Sequence, residues 1–96
     1  MNITTEIKTR LQALMPNHIE LIDDSHLHAG HAGNTGGGHY RLLIVSDLFE
    51  TLSRLERQRK VQDLLQDLFG HAIHALSIRT FTNNEYQQQS TEHMHN

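Results

Sequence analysis

Tyr40-Arg41-Leu42-Leu43-Ile44-Val45, Ser53-Arg54-Leu55-Glu56 and the run from Ile73 to Phe81 together decide the fold. The first is nearly continuous in apolar residues and β-branched at its end, which predicts a central strand buried on both faces. The second has the Ser-x-x-Glu spacing of a capping box, the start of a helix. Val61, Leu64, Leu65 and Leu68 then recur at helical spacing, and Gly70 is placed to end that helix in the left-handed conformation. The third stretch reads as another strand. A strand–helix–strand unit crosses over right-handed and makes its two strands parallel neighbours.

Upstream, Ile3, Ile7, Leu11 and Leu14 share one face of a helix predicted from Thr4 to about Met15, with Glu6 at its positive end and Pro16 as its stop. Ile19 and Leu21 alternate with polar residues, as in a short half-buried strand that pairs antiparallel with Tyr40–Val45 across a long loop. Downstream, Thr82-Asn83-Asn84-Glu85 is a second capping box opening a short final helix. The order is α-β-β-α-β-α, an α+β domain with a three-stranded mixed sheet covered by helices on one face. Residues 1–86 make up that domain, and the polar residues 87–96 read as a disordered tail.

Composition excludes several classes. The chain has 96 residues, no cysteine, no tryptophan and a net charge of −3, which argues against a broad electrostatic grip on nucleic acid. No apolar run approaches the roughly 20 residues that span a bilayer. Met1–Glu6 lacks the basic and apolar regions of a signal peptide. The absence of cysteine rules out a disulfide scaffold and fits a cytoplasmic location. There is no Gly-x-Ser-x-Gly, no His-Glu-x-x-His and no thiol nucleophile, and the adjacent Asp23 and Asp24 point to opposite faces of a strand. The chain reads as a non-enzyme.

What remains is histidine. Of nine, His26, His28, His31 and His39 crowd the stretch Ser25–His39, which also holds five of the six glycines. A structureless loop of this length is uncommon in a small domain and is often functional. His74 opens the Ile73–Phe81 strand region. Imidazole is the commonest protein metal ligand. A soft metal or iron–sulfur cluster normally also needs thiolate, so these histidines are half of a site. Gly36-Gly37-Gly38 lacks the Gly-Lys-Ser/Thr ending of a phosphate loop and precedes a strand, so its expected use is backbone freedom. Arg54, Arg57, Arg59 and Lys60 form a basic run that is either a solvated helix face or a docking patch for an acidic partner or phosphate. No Gly-x-x-Gly of the kind that clamps a nucleic acid backbone joins two helical segments.

Asp24-Ser25, His28-Ala29-Gly30-His31-Ala32-Gly33, Gly38-His39-Tyr40-Arg41, Ile44-Val45-Ser46-Asp47-Leu48-Phe49, Arg57-x-Arg59, His74-Ala75-Leu76-Ser77-Ile78 and Thr80-x-Thr82-x-x-Glu85-Tyr86 occur in that order. This succession, covering about Ile3 to Tyr86, resembles the BolA family. Two positions depart from it: Arg57-Gln58-Arg59 stands where members usually read Arg-His-Arg, and Tyr86 where they usually carry Trp. The resemblance implies a fold similar to the class II KH domain and partnership with monothiol glutaredoxins in handling [2Fe–2S] clusters. It implies His74 as one cluster ligand and a loop histidine as the other, with His28 the best positional match and His31 and His39 its rivals. For some bacterial members it also implies DNA-binding regulation.

Overall fold

In the computed structural model the described residues are 2–25 and 37–94, with side chains through Gln89. Six elements follow in the expected order: α1 (Ile3–Leu11), β1 (His18–Asp23), β2 (Gly38–Val45), α2 (Arg54–Leu65), β3 (Ile73–Phe81) and α3 (Asn83–Met94). Short 3-10 turns extend α1 to Leu14, precede α2 at Asp47–Phe49 and extend α2 to Leu68.

The sheet order is β1-β2-β3, antiparallel between β1 and β2 and parallel between β2 and β3. Helix α1 starts one residue earlier than Thr4 because Asn2 is the cap, its Oδ1 accepting from the Thr5 amide at 3.2 Å. It buries Ile7 and Leu11, and Leu14 follows on the 3-10 turn, against Leu42, Ile44, Phe49, Val61, Leu65 and Ile73. Both capping boxes form. Ser53 and Glu56 exchange side-chain and backbone hydrogen bonds at the start of α2, and Thr82 and Glu85 do the same at the start of α3.

Four expectations are corrected. β2 is central, with its Tyr40, Leu42 and Ile44 face buried throughout, but its other face is buried only at Val45, while Arg41 is exposed and Leu43 half-buried. The expected covering of one face only is also corrected: α1 and α2 pack on the Tyr40–Leu42–Ile44 face, while α3 crosses to the other face, where Tyr86 lies on His18 and Val45 is buried, leaving the Arg41 end of that face open. Gly70 does adopt positive φ (93°), yet α2 has already ended, and Phe69 is extended ahead of it. Gly70 instead turns the chain into β3, its amide donating to the Ile73 carbonyl at 3.0 Å. The last helix also continues past Gln87 to Met94, longer than its polar composition suggests.

Candidate metal centre and the basic helix

His39 is the second residue of β2 and His74 the second of β3, so both stand at the N-terminal ends of neighbouring parallel strands. Regular pairing continued back from His39↔Ala75 would set His74 opposite Gly38, on the other face of the sheet from His39. Gly38 pairs with Ile73 and His39 with Ala75, which leaves His74 as the one residue of β3 without a partner across the ladder. A bulge of this kind re-aims a side chain. The two imidazole rings lie with centroids 5.0 Å apart and planes tilted by 43°.

The start of β2 is held by the Asp24-Ser25 pair. The Asp24 amide donates to the His39 carbonyl at 2.8 Å, and the His39 amide donates to Ser25 Oγ at 3.1 Å. Ser25 is itself fixed by its amide donating to Asp23 Oδ1 at 2.8 Å. Both backbone polar groups of His39 are therefore satisfied by the end of β1. Glycine is required where the incoming chain passes. Gly37 has φ 95°, and a Cβ there would sit 2.5 Å from the His71 carbonyl oxygen. A Cβ on Gly38 would sit 2.6 Å from Ser25 Oγ. These two glycines serve close approach, a narrower role than the freedom expected from the triplet.

Beside His39 the open sheet face carries a shallow cavity of about 330 Å³, lined by Asp24, Tyr40, Arg41, Ala75 and Ser77 among others. Arg41 Nε bonds Asp24 Oδ2 at 2.5 Å across its rim. Burial, followed by the Asp23 charge, pushes the Tyr40 phenol upward, so it is a neutral group at physiological pH.

The donor set fits part of a metal or cluster site. Two imidazoles on one tetrahedral ion, at metal–nitrogen distances of about 2.0–2.1 Å, place their ring centroids roughly 5 Å apart. His39 and His74 have that separation. Among the described residues no group of three or more His, Cys, Asp or Glu side chains is placed to hold an ion, and the chain has no thiolate. The spacing is that of two imidazoles on one ion, and the remaining ligands of such a site would have to come from elsewhere. His28 and His31, the other loop candidates, lie outside the described residues.

The basic run divides. Arg54, Arg59 and Lys60 are exposed along α2. Arg57 is buried, with 6% of its surface accessible, and does not belong to a docking patch. Its Nε donates to the Leu52 carbonyl at 3.1 Å, and its two terminal nitrogens reach the Glu85 carboxylate at 2.8 and 3.3 Å. The guanidinium also lies 5.7 Å from the Phe49 ring centroid. Arg57 thus fastens α2 to the start of α3, and its hydrogen bonds hold the Glu85 carboxyl below the usual range. Sequence reasoning missed this strut and a second one. His18 Nε2 lies 2.7 Å from Glu20 Oε2, and Tyr86 stacks on His18 at 5.4 Å while its hydroxyl donates to Glu20 at 3.2 Å. The residue that departs from the family pattern at 86 therefore ties α3 to β1.

The family BolA (BolA-like protein) matches residues 11–85. This chain belongs to the BolA family. It is 30% identical over 91 residues to the DNA-binding transcriptional regulator BolA of Haemophilus influenzae, covering 94% of this chain and 86% of that one. It is 45% identical over 71 residues to the SufE-like protein 1, chloroplastic/mitochondrial, of Arabidopsis thaliana, covering 68% of this chain and 19% of that much longer protein. The solved BolA domain of SufE1 from Arabidopsis thaliana superposes with a TM-score of 0.74 at 41% identity, covering 88% of this chain and 96% of that one. BolA1 from the same plant gives 0.77 at 35% identity, with the same coverage of each chain. Among the described residues, no helix of this BolA-family chain is long and apolar enough to cross a membrane.

Proposed function

We propose that this protein is a cytoplasmic accessory factor in iron–sulfur cluster assembly or trafficking, sharing a [2Fe–2S] cluster with a monothiol glutaredoxin. The observation that supports it is the bulge-placed His39–His74 pair, two nitrogen donors in a chain without thiolate. Such a chain offers half of a ligand set, and the reading assigns the other half to the partner's cysteine and glutathione. His74 is one ligand of the pair. The geometry favours His39 beside it, and His28 and His31 remain the alternatives from the loop. A cluster bound partly through imidazole has a raised potential relative to all-thiolate ligation, and it is released at acid pH because protonated imidazole cannot ligate.

The test is anaerobic reconstitution with iron, sulfide, glutathione and a monothiol glutaredoxin, followed by visible absorption and circular dichroism. The expected result is a heteromeric complex whose spectrum differs from that of the glutaredoxin alone, while this chain by itself stays colourless. A stable, stoichiometric cluster on the isolated chain would refute shared ligation.

A second reading is a DNA-binding regulator acting through a KH-like surface, favoured by the relationship to the Haemophilus influenzae regulator over most of the chain. Arg54, Arg59 and Lys60 are the available cations on α2. Three phosphate contacts give a slope of about −3 in log affinity against log salt, which is weak binding at physiological ionic strength. A salt series comparing DNA with glutaredoxin separates the two readings.

A further inference from the structure

β3 lies at the edge of the sheet, with β2 on one side and no strand on the other among the described residues. It is the longest strand, nine residues, and the edge position leaves it incompletely covered. On the helix-side face Tyr40, Leu42 and Ile44 of β2 are buried, whereas Leu76, Ile78 and Thr80 of β3 are only half-buried. Proteins usually protect such an edge, because its outward backbone groups are a template for another strand. Here the C-terminal half of β3 borders a groove of about 270 Å³ between the strand and α2, lined by Arg54, Gln58, Ile78, Arg79, Thr80 and Phe81. No carboxylate lines it. Among the described residues neither Arg54 nor Arg79 has a carboxylate within salt-bridge distance, Arg79 is within electrostatic reach of Glu20, and its guanidinium lies 5.3 Å from the Phe81 ring centroid. The opposite edge, β1, is shorter and carries Glu20 and Asp23, so it lacks this excess of positive charge.

We propose that the outer edge of β3 and the Arg54/Arg79 groove bind an extended acidic segment of a partner protein, which joins the sheet as a fourth strand. Main-chain hydrogen bonds to the edge supply affinity in this mode, and alternate side chains enter the neighbouring groove. Ile78 and Thr80 offer a partly apolar floor, completed by the incoming strand. The two arginines select acidic side chains and oppose basic ones. The groove lies at the far end of β3 from His74, roughly 13–23 Å along the strand at about 3.3 Å per residue. Binding here is therefore independent of the imidazole pair and does not rest on the cluster reading.

The experiment is a backbone amide NMR titration of the full chain with a synthetic nine-residue peptide alternating Glu with Val and Thr. Controls are the same peptide with Lys for Glu, and one N-methylated at alternate residues so that it cannot pair. The expected result is shifts centred on Leu76–Phe81, slowed amide exchange there, and at least tenfold weaker binding of both controls. Arg54→Glu with Arg79→Glu should weaken the acidic peptide by about tenfold or more while leaving the dispersion of the remaining spectrum intact. His74→Ala should leave it unchanged. No binding at millimolar acidic peptide, equal binding of the N-methylated peptide, or shifts elsewhere would overturn the proposal. So would a single-stranded oligothymidine that shifts the same amides at lower concentration than the peptide, which would assign the groove to nucleic acid.

Discussion

Replacing Arg57 by Met tests whether the arginine is a strut or a surface cation. Met keeps most of the apolar stem, so the change removes chiefly the charge and its three hydrogen bonds. Breaking a fully buried ion pair costs about 3–5 kcal/mol because the remaining charge is stranded. Here the remaining partner, Glu85, is 46% exposed and rehydrates, so the cost falls below that range. The Leu52 carbonyl loses its donor at a cost of about 1–3 kcal/mol, and the contact with Phe49 contributes about 0.5–1 kcal/mol. These overlap, and a net loss of about 2–3 kcal/mol is expected. For a domain of this size that lowers the melting temperature by roughly 10–20 °C. Urea unfolding followed by far-ultraviolet circular dichroism measures it, with Arg57→Lys expected to fall between because Lys keeps the charge but not the planar fork. A change under about 0.5 kcal/mol, the range of ordinary surface substitutions, would refute the strut and return Arg57 to the basic face.

Acid unfolding should follow the carboxylates. Glu85 is lowered by Arg57 and the Thr82 amide, and Glu20 by His18. Their stabilisation is complete above the unfolded value of about 4.3 and is lost as pH falls below it through the folded values, so urea midpoints should be level from pH 7 to about 5 and drop below about 4. His74→Ala and His39→Ala should each alter the visible dichroism of the heteromeric cluster more than His95→Ala; equal effects would reduce the pair to structural histidines. Gly37→Ala should destabilise by about 1–3 kcal/mol in the same urea assay, from positive φ and a Cβ driven onto the His71 carbonyl; a neutral result would mean the strand entry yields freely. Thr82→Ala should cost about 0.5–2 kcal/mol through loss of the α3 cap.

Element order, both capping boxes, the antiparallel and parallel pairings and the limits of β3 were legible because each rests on local periodicity or short-range hydrogen bonding. His74 was legible as a position, and Asp24-Ser25 as part of a pattern. What they do was not, since the contacts run between residues far apart in the chain: Ser25 to His39, Arg57 to Glu85, Tyr86 to Glu20. A charge run such as Arg54–Lys60 looks uniform on paper. Helical rotation turns Arg57 inward and its neighbours outward, and only the Leu52 carbonyl and the Glu85 carboxylate that meet it show why the inward one is tolerated. The Gln87–Met94 helix was missed because its polar residues lack the apolar stripe by which a packed helix is recognised.

The bulge at His74 makes the imidazole pair a matter of counting. Side chains along a strand alternate between faces, so deleting one residue of Phe69–Ile73, with the His39–Ala75 register kept, would restore regular pairing and turn His74 away from His39, with neither histidine altered. Insertions and deletions near the Phe69–Ala72 turn are thus a route by which relatives bearing the same histidines could diverge in what they hold. An engineer could use the same route in reverse: a one-residue change in a turn would act as a switch for the geometry of the imidazole pair, leaving both histidines and the core in place.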